Sequence, residues 1–137
     1  INYKNEDISG CLRSLCPEGV NVYFDNVAGA TLDAVLENMA IFGTVAVCGL
    51  MENYGAVDRL PGPKNYDLVL MKRLRIEGFF SPDFYHREPE INPILKKWHE
   101  QGVLSLPMQQ TEGLDQLVKA YSSLFEGTNI GKVFVRV

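Results

Sequence analysis

Histidine and cysteine are scarce in this sequence. Its 137 residues hold two histidines, His86 and His99, and three cysteines, Cys11, Cys16 and Cys48. The cysteines are odd in number, scattered, and include no Cys-x-x-Cys pair, so they do not make a disulfide framework. Reduced thiols in a cytoplasmic protein are the expectation. With both histidines isolated, the ligand spacing of a four-coordinate zinc site is absent, and no metal is expected. Excess positive charge is lacking too: the net charge of -4 argues against a nucleic-acid partner or a polybasic membrane surface. No apolar run approaches the roughly 18 residues of a membrane span. There is no signal peptide, and the first residue is Ile1 rather than Met, as expected for a processed chain or part of a longer one. No repeat, low-complexity segment or heptad seam is present. The Gly-x-Gly-x-x-Gly phosphate loop, the most diagnostic dinucleotide signal, is missing as well.

What remains is a sequence with the composition of a globular protein, 46% hydrophobic and 22% charged, in which strand and helix patterns alternate. Residues 1–4 read as a strand end or a strand-to-helix turn. Ile8, Cys11, Leu12 and Leu15 recur at helical spacing, with Asn5 as the expected N-cap and Glu6 and Asp7 favouring the helix start. Pro17 and Gly19 stop it. Residues 20–25 form a short β-branched and aromatic strand. Thr31 is the expected cap of a helix with Leu32, Val35, Leu36 and Met39 on its apolar face. Residues 44–48 are a continuous apolar strand, and residues 75–80 a third. Between these two lie an irregular stretch at 50–64, of a length that usually signals function or disorder, and a helix at 66–74. Beyond the turn at Ser81-Pro82-Asp83, a helix carries Ile91, Ile94, Leu95 and Trp98. An extended segment spans residues 104–111. A helical stripe of Leu114, Leu117, Val118, Tyr121, Leu124 and Phe125 leads to a closing strand at 132–137. Trp98 and the stripe are the expected core of this region. The alternation implies an α/β fold with a parallel sheet covered on both faces.

In open parallel sheets, ligands sit beyond the carboxyl ends of the strands. Three segments leave such ends here: FDNVAG at 24–29, VCGLMENYG at 47–55, and Phe79-Phe80-Ser81. Asn26 offers a donor and an acceptor, suited to ribose hydroxyls or a carboxamide; the alternative is an Asx turn closing the strand. Asp25 reads as a structural turn acceptor. Gly49 permits close backbone approach, and Cys48 reads as a small buried hydrophobe.

Taken together, INYK (1–4), CPEGVNVYFDNVAG (16–29), FGTVAVCGLMENY (42–54), GPKNY (62–66), RIEGF (75–79) and GTNIGKVFV (127–135) resemble a known family. It is the leukotriene B4 12-hydroxydehydrogenase / 15-oxoprostaglandin 13-reductase family of zinc-independent medium-chain dehydrogenases/reductases, with curcumin reductases and plant double-bond reductases as close relatives. The resemblance covers essentially the whole chain. It implies a partial Rossmann fold, the C-terminal portion of an NADP-binding domain at residues 1–102. Residues 103–137 would return to a GroES-like substrate domain. The Gly-rich loop and most of the substrate domain would lie upstream of Ile1. The implied reaction is NADPH-dependent reduction of the carbon-carbon double bond of an α,β-unsaturated ketone or aldehyde, with hydride delivered to the β-carbon and no metal.

The same resemblance assigns cofactor contacts to Tyr3 (adenosine phosphate), Asn26, Cys48, Gly49, Tyr54, Phe79, Phe80, Ser81 and Asn129. Tyr54 is also the catalytic candidate, because its hydroxyl would stabilise the developing enolate. For Asn129 the alternative is a left-handed turn residue before Gly131. Family members commonly dimerise through the strand corresponding to residues 75–80, which implies a homodimer. Two other readings stay open: an NADPH quinone reductase of the same superfamily, and a non-catalytic dimerising fragment. Without the phosphate cradle, the 137 residues alone are expected to bind NADPH weakly or undetectably and to be inactive.

Overall fold

In a computed structural model of the chain, residues 1–53 and 62–137 are described. They fall into two compact units, Ile1–Phe84 and Tyr85–Val137. The division expected at residue 102 lies inside the second unit.

The first unit is α/β. Helix α1 (Ile8–Leu15) leads to strand β1 (Val20–Asp25), helix α2 (Gly29–Asn38) and strand β2 (Met39–Val47). A 3₁₀ turn at Met51–Asn53, helix α3 (Asp67–Met71) and strand β3 (Arg75–Gly78) follow. The strands form one parallel sheet in the order β1-β2-β3. Such sequential parallel pairing, with a crossover between each pair, is the arrangement of half a Rossmann sheet. Residues 1–4 form part of a turn rather than a strand.

Local chemistry shifts several boundaries from their expected places. The cap of α1 is Asp7, whose carboxylate accepts from the Gly10 amide at 3.0 Å. Asn5 instead donates its own amide to Asn2 O in the preceding turn. Strand β2 starts at Met39, five residues before the apolar run, with Phe42 at φ 64°. The register breaks there: Val20 faces Met39, but Val22 faces Thr44, a bulge. Phe42 is held by its amide to Lys72 O at 2.8 Å, with the Arg73 guanidinium over its ring. The other end of α2 is closed by Lys72, whose Nζ donates to the carbonyls of Leu36, Glu37 and Met39. Lys72 thus gathers carbonyls at the junction where α2 ends and β2 begins, and shares Leu36 O with the Met39 amide. Burial holds the Lys72 ammonium below the usual lysine range, and Glu37 opposes that shift.

The core joins Val35, Leu36 and Met39 of the α2 region to Val45 and Leu74, with Leu12, Tyr23, Leu32, Val47, Leu68 and Val69 packed around them. Side chains alternate along a strand. Tyr23 therefore points to this core, while Val22 and Phe24, 69% and 51% exposed, point away from it. Among the described residues, the buried core lies on one face of the sheet, the face of Tyr23 and Val45, whereas the apolar run of β2 suggested cover on both.

The second unit continues from the 3₁₀ turn Ser81–Arg87. It holds α4 (Glu88–Glu100), β4 (Met108–Glu112), a 3₁₀ turn at Leu114–Gln116, α5 (Leu117–Glu126) and β5 (Lys132–Arg136). Strands β4 and β5 pair in parallel from Met108↔Lys132 to Glu112↔Arg136, a small βαβ unit. The expected core here is corrected. Trp98, Leu114, Leu117, Val118, Tyr121, Leu124 and Phe125 are all exposed, and on α5 only Ala120 is buried. Helical periodicity reports an apolar stripe but not what covers it. Among the described residues, no helix is long and apolar enough to cross a membrane.

Leu36→Ala is expected to cost about 2–5 kcal/mol of unfolding free energy. Val118→Ala, at a side chain 75% exposed, is expected to cost under ~0.5 kcal/mol. Urea unfolding of the two variants checks this; equal losses would contradict the assigned core.

Candidate functional site

The three parallel strands end in one row, since Asp25 faces Val47 and Val47 faces Gly78. Neighbouring strands lie about 4.8 Å apart, so Asn26, Cys48 and Phe79 leave adjacent tips. Backbone bonds join these tips. The amides of Cys48 and Gly49 both donate to Asp25 O, at 2.8 and 3.0 Å. Met51 donates to Asn26 O, Glu52 to Val27 O, and Phe79 to Val47 O.

Asp25 organises the turn after β1. It is fully buried, and its Oδ1 accepts from the Tyr23 hydroxyl at 3.0 Å and from the Val27 and Ala28 amides at 2.9 Å each. A buried carboxylate is costly unless hydrogen-bonded; these donors satisfy Oδ1, while Oδ2 is buried with no hydrogen-bond partner among the described residues. The bond to Val27 is an Asx turn. That turn was the alternative reading of Asn26, and it is made one residue earlier. The exposed Asn26 side chain therefore makes no hydrogen bond among the described residues. The same network holds Ala28 at φ 67° and ψ -154°, a conformation rarely adopted by a residue with a Cβ.

Gly49 is where the first two tips come closest. A Cβ there would stand 3.0 Å from Asn26 O and 3.2 Å from Asn26 Oδ1, so a larger residue would push the turns apart. Cys48 is half-buried rather than buried. The Phe79 ring packs edge-on against Phe24 at 5.8 Å and stacks on Phe84 at 4.8 Å. Phe80 and Ser81 are exposed.

Tyr3 is exposed in the turn before α1, with no hydrogen bond or ring contact to the tips among the described residues. Asn129 belongs to the second unit, where its amide donates to Gly131 O at 3.0 Å. The left-handed residue of that turn is Gly131, at φ 68°, not Asn129. Tyr54 lies outside the described residues.

Sequence reasoning missed Glu52. Helix α2 begins at Gly29, two residues before the Thr31 expected to cap it, and Ala28 provides no side-chain cap. Glu52 Oε2 accepts from the Ala30 amide at 3.1 Å instead. No local signal marks this acceptor, since Glu52 lies 22 residues from the amide it meets. A pocket of about 420 Å³ opens here, lined by residues including Ala28, Leu32, Leu50, Glu52 and Pro63. A more open groove of about 490 Å³ includes Cys16, Asn38 and Lys72. Its Asn38 amide and Lys72 ammonium are already bonded within the fold.

The exposed Asn26 amide, the close approach at Gly49 and the open Phe80-Ser81 edge fit the ribose and carboxamide end of a dinucleotide. No Gly-rich turn accompanies them to cradle phosphates. Among the described residues, no group of three or more His, Cys, Asp or Glu could hold a metal ion.

Burial, the Asp25 charge and the hydrogen bond to Asp25 push the Tyr23 phenol well above its ordinary range. The fold therefore keeps a proton that the unfolded chain releases near pH 10. Stability is expected to hold below about pH 10 and to fall as pH rises toward the folded-state value. Urea unfolding across roughly pH 9 to 11 should show a shallower decline in Tyr23→Phe; parallel declines would contradict the buried phenol-carboxylate pair.

Comparison with known proteins gives this geometry its context. The profile of the family described as zinc-binding dehydrogenase matches residues 1–97. The chain is 38% identical to a 2-alkenal reductase (NADP(+)-dependent) of Nicotiana tabacum, over all of this chain and 40% of that protein. It is 32% identical to the NADPH-dependent curcumin reductase of Escherichia coli, over all of this chain and 41% of that protein. The crystal structure of CurA in complex with NADPH from Vibrio vulnificus superposes with a TM-score of 0.86 at 31% identity, over all of this chain and 42% of that one. The chain thus spans about 40% of the length of the relatives it matches. It belongs to the zinc-binding dehydrogenase family, as the C-terminal part of a medium-chain dehydrogenase/reductase of the zinc-independent branch that includes alkenal, curcumin and prostaglandin reductases.

Proposed function

We propose that, within an enzyme of the relatives' full length, this chain serves NADPH-dependent reduction of the carbon-carbon double bond of α,β-unsaturated ketones or aldehydes. The observation that carries the reading is the row of in-register strand tips, where the exposed Asn26 side chain, without a hydrogen bond among the described residues, stands against Gly49. Similarity to the tobacco alkenal reductase and the bacterial curcumin reductase supports it.

NADPH, when bound, supplies the hydride, and the protein supplies position and electrostatics. In this reading Asn26 binds ribose hydroxyls or the carboxamide. Gly49 admits the ring close to the backbone, and Cys48 supports it from below. Backbone groups of Phe79, Phe80 and Ser81 line the nicotinamide side. Tyr3 meets the adenosine phosphate, and Asn129 makes a further cofactor contact. Tyr54 donates its hydroxyl to the substrate carbonyl oxygen as enolate charge develops, a role that needs no Lewis acid. Solvent or a relayed proton completes the α-carbon. Residues 1–102 serve the cofactor domain and residues 103–137 the substrate domain.

Strand β3 pairs with β2 on one side only, among the described residues, and all four of its residues are exposed. An open edge of this kind favours pairing, and we assign it to a second copy of the chain through residues 75–80. The free cysteines Cys11, Cys16 and Cys48 suit a reducing compartment, the cytoplasm.

In an enzyme of the relatives' full length, Tyr54→Phe is expected to lower kcat on a 2-alkenal about a hundredfold, with a smaller change in KM for NADPH. Unchanged turnover would remove Tyr54 from this role, and faster turnover of quinones than of enones would favour a quinone reductase. Calorimetry of the 137-residue chain with NADPH should show weak or no binding, because no phosphate cradle is present. Tight binding would contradict that expectation.

A further inference from the structure

Helix α2 starts without help from its own sequence. Ala28, at its N-terminus, makes no side-chain cap bond, and the chain there runs through positive φ at both Ala28 and Gly29. Helix starts leave amides without partners and carry partial positive charge. The acceptor arrives from 22 residues away, as Glu52 Oε2 meets the Ala30 amide at 3.1 Å. The carboxylate lies against Gly29 so closely that a Cβ at that position would fall 1.9 Å from Glu52 Oε2. Glu52 is itself held, because its amide donates to Val27 O and the Met51 amide to Asn26 O.

The turn at residues 26–30 is therefore gripped twice. Asp25 holds it from within, through Val27 and Ala28. Glu52 holds it from the neighbouring turn, through Ala30. We propose that Glu52 is a positioning residue, a carboxylate clamp that locks the turn after β1 to the turn after β2 and so fixes Asn26 against Gly49 for cofactor binding. The cofactor part of this inference rests on the reductase reading, while the clamp itself does not. Glu52 touches neither substrate nor reacting atoms in this role. It acts through Asn26 and the strained Ala28, which a loosened helix start would release.

The test compares Glu52→Ala and Glu52→Gln with the parent in two measurements. The first is hydrogen exchange of the Ala30 amide. It should speed up about fivefold in Glu52→Ala, the effect of losing a cap of this kind. It should stay near the parent rate in Glu52→Gln, whose side-chain oxygen can accept the same bond. The second is steady-state kinetics in the full-length enzyme. Glu52→Ala should raise KM for NADPH by about fivefold with kcat little changed, and Glu52→Gln should restore KM. Unchanged Ala30 exchange in Glu52→Ala would overturn the clamp. Faster exchange with unchanged KM would overturn the positioning role and leave a structural cap. If the parent reduces no enone with NADPH, the reductase reading falls, and the exchange result alone upholds or overturns the clamp.

Discussion

One carboxylate oxygen, Asp25 Oδ1, sets the geometry on which the row of strand tips is built. It collects the Tyr23 hydroxyl and two amides of the following turn, while the Asp25 carbonyl collects the Cys48 and Gly49 amides. Side chain and backbone of a single buried residue thus bind the ends of two strands. The helix-facing side of the sheet buries Asp25 beside the core, where an unmatched charge would be strongly unfavourable. The three donors to Oδ1 offset part of that cost, while Oδ2 is left without a hydrogen-bond partner among the described residues. Asn26 is a consequence. Because Asp25 makes the Asx turn, the Asn26 side chain is left exposed, without a hydrogen bond among the described residues.

Local signals in the sequence were enough to place the helices and strands. The stripe from Ile8 to Leu15 and the β-branched run before Asp25 behave as their spacing implies. Boundaries moved where a distant group intervened. Lys72 closes the C-terminal end of α2, and Glu52 opens its N-terminal end in place of Thr31. Neither bond leaves a local trace, since each joins residues more than twenty positions apart. Burial was the other failure. Trp98 and the α5 stripe have helical apolar spacing but stay exposed, because a stripe is buried only where another surface meets it.

For the site, the sequence marked the three strand tips, and the shared register of Asp25, Val47 and Gly78 brings them into one row. It could not show that Phe79 engages Phe24 and Phe84 with its ring. That arrangement leaves backbone rather than side chain for a ligand at this tip. Tyr3 and Asn129 owe their candidacy to family resemblance alone, and their own surroundings do not tie them to the row. The family match, over residues 1–97, covers the whole first unit, Ile1–Phe84, and with it the three strand tips.

The central claim is that these tips form the nicotinamide-facing half of a dinucleotide crevice. Reduced nicotinamide mononucleotide isolates that half, because it lacks the adenosine end and the pyrophosphate bridge that a Gly-rich loop would hold. A titration of the isotope-labelled chain with this half-cofactor, followed by amide chemical shifts, is the most direct measurement. The expected result is weak, saturable shifts confined to Asn26, Cys48, Gly49 and Phe79 to Ser81. Shifts centred instead on the groove around Cys16 and Lys72, or none at the strand tips at millimolar ligand, would contradict the claim.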